Sequence, residues 1–391
     1  MRGSHFLKPS RSFRSFIAAR AVGLLFLVPL LLGLAAPGRL SSAAQQPTGK
    51  LYVVDSNRTD VTSSVFVVDP QKGEITRTYS AGFHPDIALS EDGGRLYVAY
   101  DSVSSDMSRQ TGVLDVIDTA SGKLIARVDN PDRWEAIGEL YDSNMALSKD
   151  GRWLFVYKMT SDGASYGFGV FDTTTNKFLP DKVSLPGCEA AQLFPSRRNP
   201  NTVFVVCEGT TDIRTVRLAP NGKPVANDIQ RGIRFSRGGI VGTVFPSDED
   251  RLRVVMRNGE FSTLDLATRS SVGRGVLAIA PGGRPNTPGQ DERHIRFSGV
   301  AADKVFLGIA RRGVNHLFDE IAIVNADTLE RTATLQAAAP LWAFAIGDDG
   351  SRLYGVDPVH GSIHVFDTAR AAETGVIRGV GKSPTIVIFS R

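Results

Sequence analysis

Ile87-Ala88-Leu89-Ser90-Glu91-Asp92-Gly93-Gly94-Arg95-Leu96-Tyr97-Val98 is the stretch that decides the fold. Two short apolar runs flank a polar turn, and Asp-Gly in that position marks a hairpin because glycine accepts φ > 0 without a Cβ clash. The phrase returns as Met145-Ala146-Leu147-Ser148-Lys149-Asp150-Gly151 before Leu154-Phe155-Val156. It returns again as Phe344-Ala345-Ile346-Gly347-Asp348-Asp349-Gly350 before Leu353-Tyr354-Gly355-Val356. A recurring phrase calls for a repeat architecture.

With the first run named strand A and the second strand B, the B run occurs seven times. The other four copies are Leu51-Tyr52-Val53-Val54, Val203-Phe204-Val205-Val206, Leu252-Arg253-Val254-Val255 and Val305-Phe306-Leu307. Successive starts lie 45, 58, 49, 49, 53 and 48 residues apart. A strand C follows each B and usually ends in an acid or its amide, as in Val67-Val68-Asp69, Val116-Ile117-Asp118, Val170-Phe171-Asp172 and Val365-Phe366-Asp367. A turn and a strand D complete the unit, as in Ser121-Gly122-Lys123-Leu124-Ile125. Four strands in roughly 40 to 50 residues is the unit of a β-propeller blade. The repeat opens on a B strand and closes on an A-like strand, Thr385-Ile386-Val387-Ile388-Phe389. Pairing the two removes an exposed seam edge. The expected fold is therefore all-β, a seven-bladed propeller over residues 45–391, closed by its C-terminal strand on the first blade.

Strands alternate in direction within a blade, so A–B and C–D turns share one end of the disc, and B–C and D–A connections share the other. The long segments are nearly all of the second kind: 55–64, 101–111, 160–167 and 311–319 between B and C, and 130–142, 222–239 and 270–296 between D and A. Function concentrates in loops carried by a rigid scaffold. That end is the expected partner-binding face, with Trp134, Tyr141, Arg311, Arg312 and Phe318 as its anchors, since interface hot spots are rich in Trp, Tyr and Arg.

Residues 1–44 read differently. Arg2, Lys8, Arg11, Arg14 and Arg20 precede a 16-residue run, Ala21 to Ala36, and Ser42-Ala43-Ala44 offers a cleavage site. A membrane span needs about 20 residues, so the segment is read as a secretory signal peptide, with a retained anchor as the alternative. Its removal leaves 39 of the 45 basic residues against all 41 acidic ones, turning the net charge from +4 to −2. The basic balance thus belongs to the targeting segment, and nucleic acid is excluded as the expected partner. The expected location is the periplasm, with no membrane contact after cleavage. In such an oxidising compartment the two cysteines, Cys188 and Cys207, are expected to pair.

Chemistry-bearing motifs are sparse, and no catalytic, cofactor-binding or metal-binding residue is assigned. Gly163-Ala164-Ser165-Tyr166-Gly167 has the nucleophile-elbow pattern but falls between two strands, where that motif needs a strand-to-helix turn. Gly379-Val380-Gly381-Lys382-Ser383 lacks the first glycine of a phosphate loop, since position 376 is Val, and no helix follows. His360 and His364 would chelate on a helix, but four residues of strand span about 13 Å.

The chain resembles the heavy (large) subunit of the quinone-dependent amine dehydrogenases, the methylamine and aromatic amine dehydrogenase family. The resemblance rests on Leu185-Pro186-Gly187-Cys188, Phe194-Pro195, Val203-Phe204-Val205-Val206-Cys207 and Leu218-Ala219-Pro220-Asn221-Gly222-Lys223-Pro224. Phe83-His84-Pro85 with Leu89-Ser90-Glu91-Asp92-Gly93, and Gly381-Lys382-Ser383-Pro384 at the close, are similar too. It implies a periplasmic propeller with a Cys188–Cys207 disulfide, carrying no cofactor itself. It also implies a cysteine-rich light subunit bearing tryptophan tryptophylquinone, an α2β2 heterotetramer, and electron transfer to a blue-copper protein. The family has a phenylalanine near its substrate channel in the first B–C loop; Ser56-Asn57-Arg58-Thr59-Asp60-Val61 here has no aromatic residue. The alternative is a stand-alone periplasmic propeller that binds a protein or small ligand without catalysis.

Overall fold

Strand B is buried on both of its faces, and that is why it reads as an apolar run, broken only by Arg253 in the fifth copy. In the first copy Leu51 and Val53 pack toward blade seven while Tyr52 and Val54 pack toward blade two. The computed structural model describes residues 49–391 apart from 58–61, 105–109, 131–144, 160–165, 189–190, 197, 208–211, 231–239, 245–250, 257–258, 267, 269, 278–292, 302–303, 312–316, 326, 329, 348 and 391. The signal-peptide reading lies outside them.

Seven antiparallel sheets follow one another along the chain, each in the order A-B-C-D. Blade one takes Lys50–Asn57, Thr62–Asp69 and Glu74–Ala81 as B, C and D, and Pro384–Ser390 as its A strand. Leu51 pairs with Phe389 and Val53 with Val387, so the expected closure is present. Blade seven, the last formed in sequence, is Ala343–Ile346, Arg352–Asp357, Ser362–Asp367 and Ala372–Arg378. Seven hydrophobic clusters lie between successive blades, from one against two round to seven against one. Burial of two faces per blade distributes the core around a ring rather than concentrating it at one centre.

The short-turn end shows how polar residues hold this ring. Thr119, Thr173 and Thr368, each directly after the C-strand acid, donate a hydroxyl to the carbonyls of Gly93, Gly151 and Gly350, joining C–D to A–B turns at 2.6–2.7 Å. Blades are stitched by donors reaching the next blade's turn: Arg77 to the Thr119 carbonyl, Arg95 to the Thr173 carbonyl, and Trp153 Nε1 to Asn201 Oδ1.

Two expected loops are partly strand. Pro224–Gln230 and Ser270–Val276 are the D strands of blades four and five, inside the segments read as the D–A connections 222–239 and 270–296. Outer strands have little to bury: Ser270–Val276 alternates only between exposed and half-buried, with Val272 and Val276 open to solvent. Their sequences therefore lack an apolar signature. The B–C hairpins are also longer than read, since Lys50–Asn57 and Arg95–Val103 run past Asp55 and Asp101. In blade three the D position is split into Lys177–Phe178 and Val183–Ser184, both paired with Tyr166–Asp172.

Candidate functional site

Polar side chains are buried toward both ends of the blades, and most of the buried charged ones lie toward the loop-rich end. Thr119, Ser148, Thr173, Ser196, Thr202 and Thr368 are buried toward the short-turn end, with Asp172. Asp55, Asp86, Asp101, Gln192, Arg214, Glu320, Asp357 and His364 are buried toward the loop-rich end. Burying a charge is costly unless it is hydrogen-bonded, so these groups mark where the backbone is most tightly specified.

Blade one and blade seven meet at this end through a network of backbone and carboxylate contacts. The last D–A crossing, residues 379–383, lies between them. Lys382 N–H and Ser383 N–H donate to the Asp55 carboxylate at 3.0 and 2.6 Å, and Ser56 N–H donates to the Ser383 carbonyl. On the other side Val380 N–H donates to the Gly361 carbonyl at 3.0 Å. Gly381 (φ 103°) is required here, because a Cβ would lie 2.3 Å from the Asp55 carboxyl carbon. The glycine-rich phrase read as a failed phosphate loop does gather backbone N–H groups around an anion, and that anion is the protein's own Asp55. Asp55→Ala should cost about 2 kcal/mol, the range for hydrogen bonds to a charged group, seen as a lower denaturant midpoint with unchanged slope.

Asp357 ends strand B of blade seven and is fully buried. It accepts the N–H groups of Val359 and His360 at 2.8 and 3.1 Å and His360 Nδ1 at 2.6 Å. Burial pushes its carboxyl up, but the His360 ring and these N–H groups outweigh it and hold the group below the usual carboxylate range. Ser90, Ser121 and Ser351 hydroxyls, with turn N–H groups, likewise hold Asp92, Asp118 and Asp349 low. Groups so depressed contribute stability that is complete above their unfolded value near 3.8 and is lost as pH falls through the lower folded value. The midpoint of urea unfolding should fall steeply below pH 4 as these carboxylates protonate. A fall already complete at pH 5 would contradict this.

In blade two, Asp115 accepts both Arg127 Nε and Nη2 at 2.8 Å and the Tyr100 hydroxyl at 3.1 Å. Burial, then the Asp115 charge, push the Tyr100 hydroxyl up to about 12. The start of the inner strand beside it, Phe83–Leu89, holds His84 at φ 48° with its ring stacked on Phe83 at 3.7 Å.

Cys188 and Cys207 are bonded and fully buried. They join the approach to the A strand of blade four to the end of its B strand, and the Tyr157 hydroxyl donates to the Cys188 carbonyl. Trp134, Tyr141 and Arg312 lie outside the described residues, and Arg311 closes strand Lys304–Arg311 opposite Arg293. Phe318 is a correction. It is 1% exposed, with its ring edge-on to Phe344 in the cluster between blades six and seven. Gly308 on the adjacent strand leaves room for it, since a Cβ there would lie 2.9 Å from the ring. Asp55, Asp357 and His364 were not singled out by sequence as parts of one seam; Val-Asp closing the apolar run of two B strands, Val54-Asp55 and Val356-Asp357, was the available signal.

Residues 48–228 match the family model of the methylamine dehydrogenase heavy chain, which agrees with the resemblance read from the sequence. The methylamine dehydrogenase heavy chain of Methylobacillus flagellatus is 25% identical over 148 residues, 37% of this chain and 35% of that protein. That of Methylophilus methylotrophus is 24% identical over 159 residues, 40% of this chain and 37% of that protein. The matched stretch thus spans little more than a third of those curated relatives. The periplasmic gluconolactonase PpgL of Pseudomonas aeruginosa superposes with a TM-score of 0.62 over 88% of this chain and 99% of its own, at 16% identity. Likeness at that identity concerns the fold alone.

Proposed function

We propose that this chain is an exported, periplasmic subunit of the heavy-chain type, a non-catalytic scaffold within a quinone-dependent amine dehydrogenase. The match of residues 48–228 to the methylamine dehydrogenase heavy chain carries this reading. Its redox chemistry resides on a cysteine-rich light subunit with tryptophan tryptophylquinone, and electrons leave to a blue-copper protein. Two cysteines, both in one disulfide, are consistent with that division of labour.

The light subunit docks on the loop-rich end, where Trp134, Tyr141, Arg311 and Arg312 supply hot-spot side chains. Phe318 supports that end from beneath. Co-expression with the light-chain reading frame of the same genome should yield one complex in size exclusion. Trp134→Ala with Arg311→Ala should weaken it at least tenfold while the melting temperature holds. Separate elution of the two chains would contradict the proposal. A stand-alone binding propeller is the second reading, favoured by the absence of an aromatic residue in 56–61.

A further inference from the structure

The second position of strand B is aromatic in six of the seven blades: Tyr52, Tyr97, Phe155, Phe204, Phe306 and Tyr354. All but Phe204 belong to the cluster that their blade shares with the next one. Blade five has Arg253 there instead, on strand Arg251–Met256. It shares a face of that strand with Val255, which lies in the cluster between blades five and six. The Arg253 side chain is 15% exposed. Its Nε and Nη1 are closed to solvent and have no hydrogen-bond partner among the described residues. Its Nη2 lies 3.6 Å from Asp327 Oδ1, on the C–D turn of blade six, and that carboxylate is 85% exposed. Arg77 and Arg95, at the joints of blades one with two and two with three, each donate to a turn carbonyl of the next blade; Arg253 has no such bond.

We propose that Arg253 is the anchor of an anion-binding site, which takes a small oxyanion such as inorganic phosphate at the joint between blades five and six. A guanidinium stays protonated in a protein, so burial cannot neutralise it, and the hydration it loses has to be replaced by acceptors. An exposed carboxylate at 3.6 Å is screened by water and replaces little of that hydration. An oxyanion offers two oxygens to the Nη1–Nη2 edge at once, the forked geometry in which arginine binds phosphate and carboxylate most strongly. The small open part of the side chain admits a small ion and not a segment of another protein. Asp327, exposed on its turn, is the group that gives way as the ion enters. Such an ion binds the folded chain and not the unfolded one, so it stabilises the ring in proportion to its excess over its dissociation constant.

The test is thermal unfolding of the purified protein in chloride buffer, titrated with inorganic phosphate at constant ionic strength, for wild type, Arg253→Met and Asp327→Asn. The wild-type melting temperature should rise saturably by about 2–4 °C. Arg253→Met keeps a long side chain without its charge and should show no saturable rise. Asp327→Asn removes the competing carboxylate and should saturate at about two- to fivefold lower phosphate. A rise of the same size in Arg253→Met would be the general effect of phosphate on folded proteins and overturns the site, as does a wild type that does not respond. Should Arg253→Met not fold, Asp327→Asn decides, because its position is exposed. A saturation midpoint equal to or above that of wild type then overturns the site.

Discussion

Deleting residues 385–391 should leave little or no soluble protein. The deletion removes all but one residue of the A strand of blade one and exposes the inner edge of Lys50–Asn57. Val387 is buried and Ile386, Ile388 and Phe389 are half-buried against the clusters on both sides of blade one. At roughly 1.5–3 kcal/mol for each fully buried side chain, their loss is on the order of 5 kcal/mol. That is comparable to the whole stability of a typical domain, about 5–15 kcal/mol. The newly open edge would also template aggregation. Expression yield and melting temperature of the truncated protein check this, and a truncated protein as stable as wild type would place the seam elsewhere.

Removing the disulfide should have the next largest effect. Cys188 and Cys207 are 19 residues apart in sequence, and closing a loop of that size contributes about 3 kcal/mol in the chain-entropy model. Both sulfurs are in the cluster between blades three and four, beside Trp153, Tyr157 and Leu193. Cys188→Ala with Cys207→Ala should therefore lower the unfolding free energy by about that amount, read from the denaturant midpoint and slope, and leave blades one, two, six and seven protected from exchange. Free-thiol titration of the unreduced, denatured wild type should find none; two free thiols would contradict the bond.

The parts of this ring that sequence discloses are those that obey a local rule. B strands buried on both faces become apolar runs, and A–B turns declare themselves through Gly93, Gly151 and Gly350, whose φ lies near +67 to +69°. Closure was legible because both ends of the repeat were incomplete. Outer strands were not legible, since they bury too little to need apolar residues. Asp55 and residues 382–383 form one contact across a separation of 327, and no local pattern announces it. Phe318 was misplaced for a related reason. An aromatic residue at a strand start reads as a surface anchor until the facing Gly308 is known. His364 was visible as a residue, but the carboxylates it meets, Asp357 and Glu373, come from the two flanking strands.

The heavy-subunit reading is tested most directly by adding a primary amine to the purified complex of this chain with the proposed light subunit and following the quinone absorbance. Amine-dependent bleaching in the complex, with no response from this chain alone, is the predicted result. A chain that purifies without any light subunit when the two are co-expressed, in a preparation with no quinone absorbance, would contradict it.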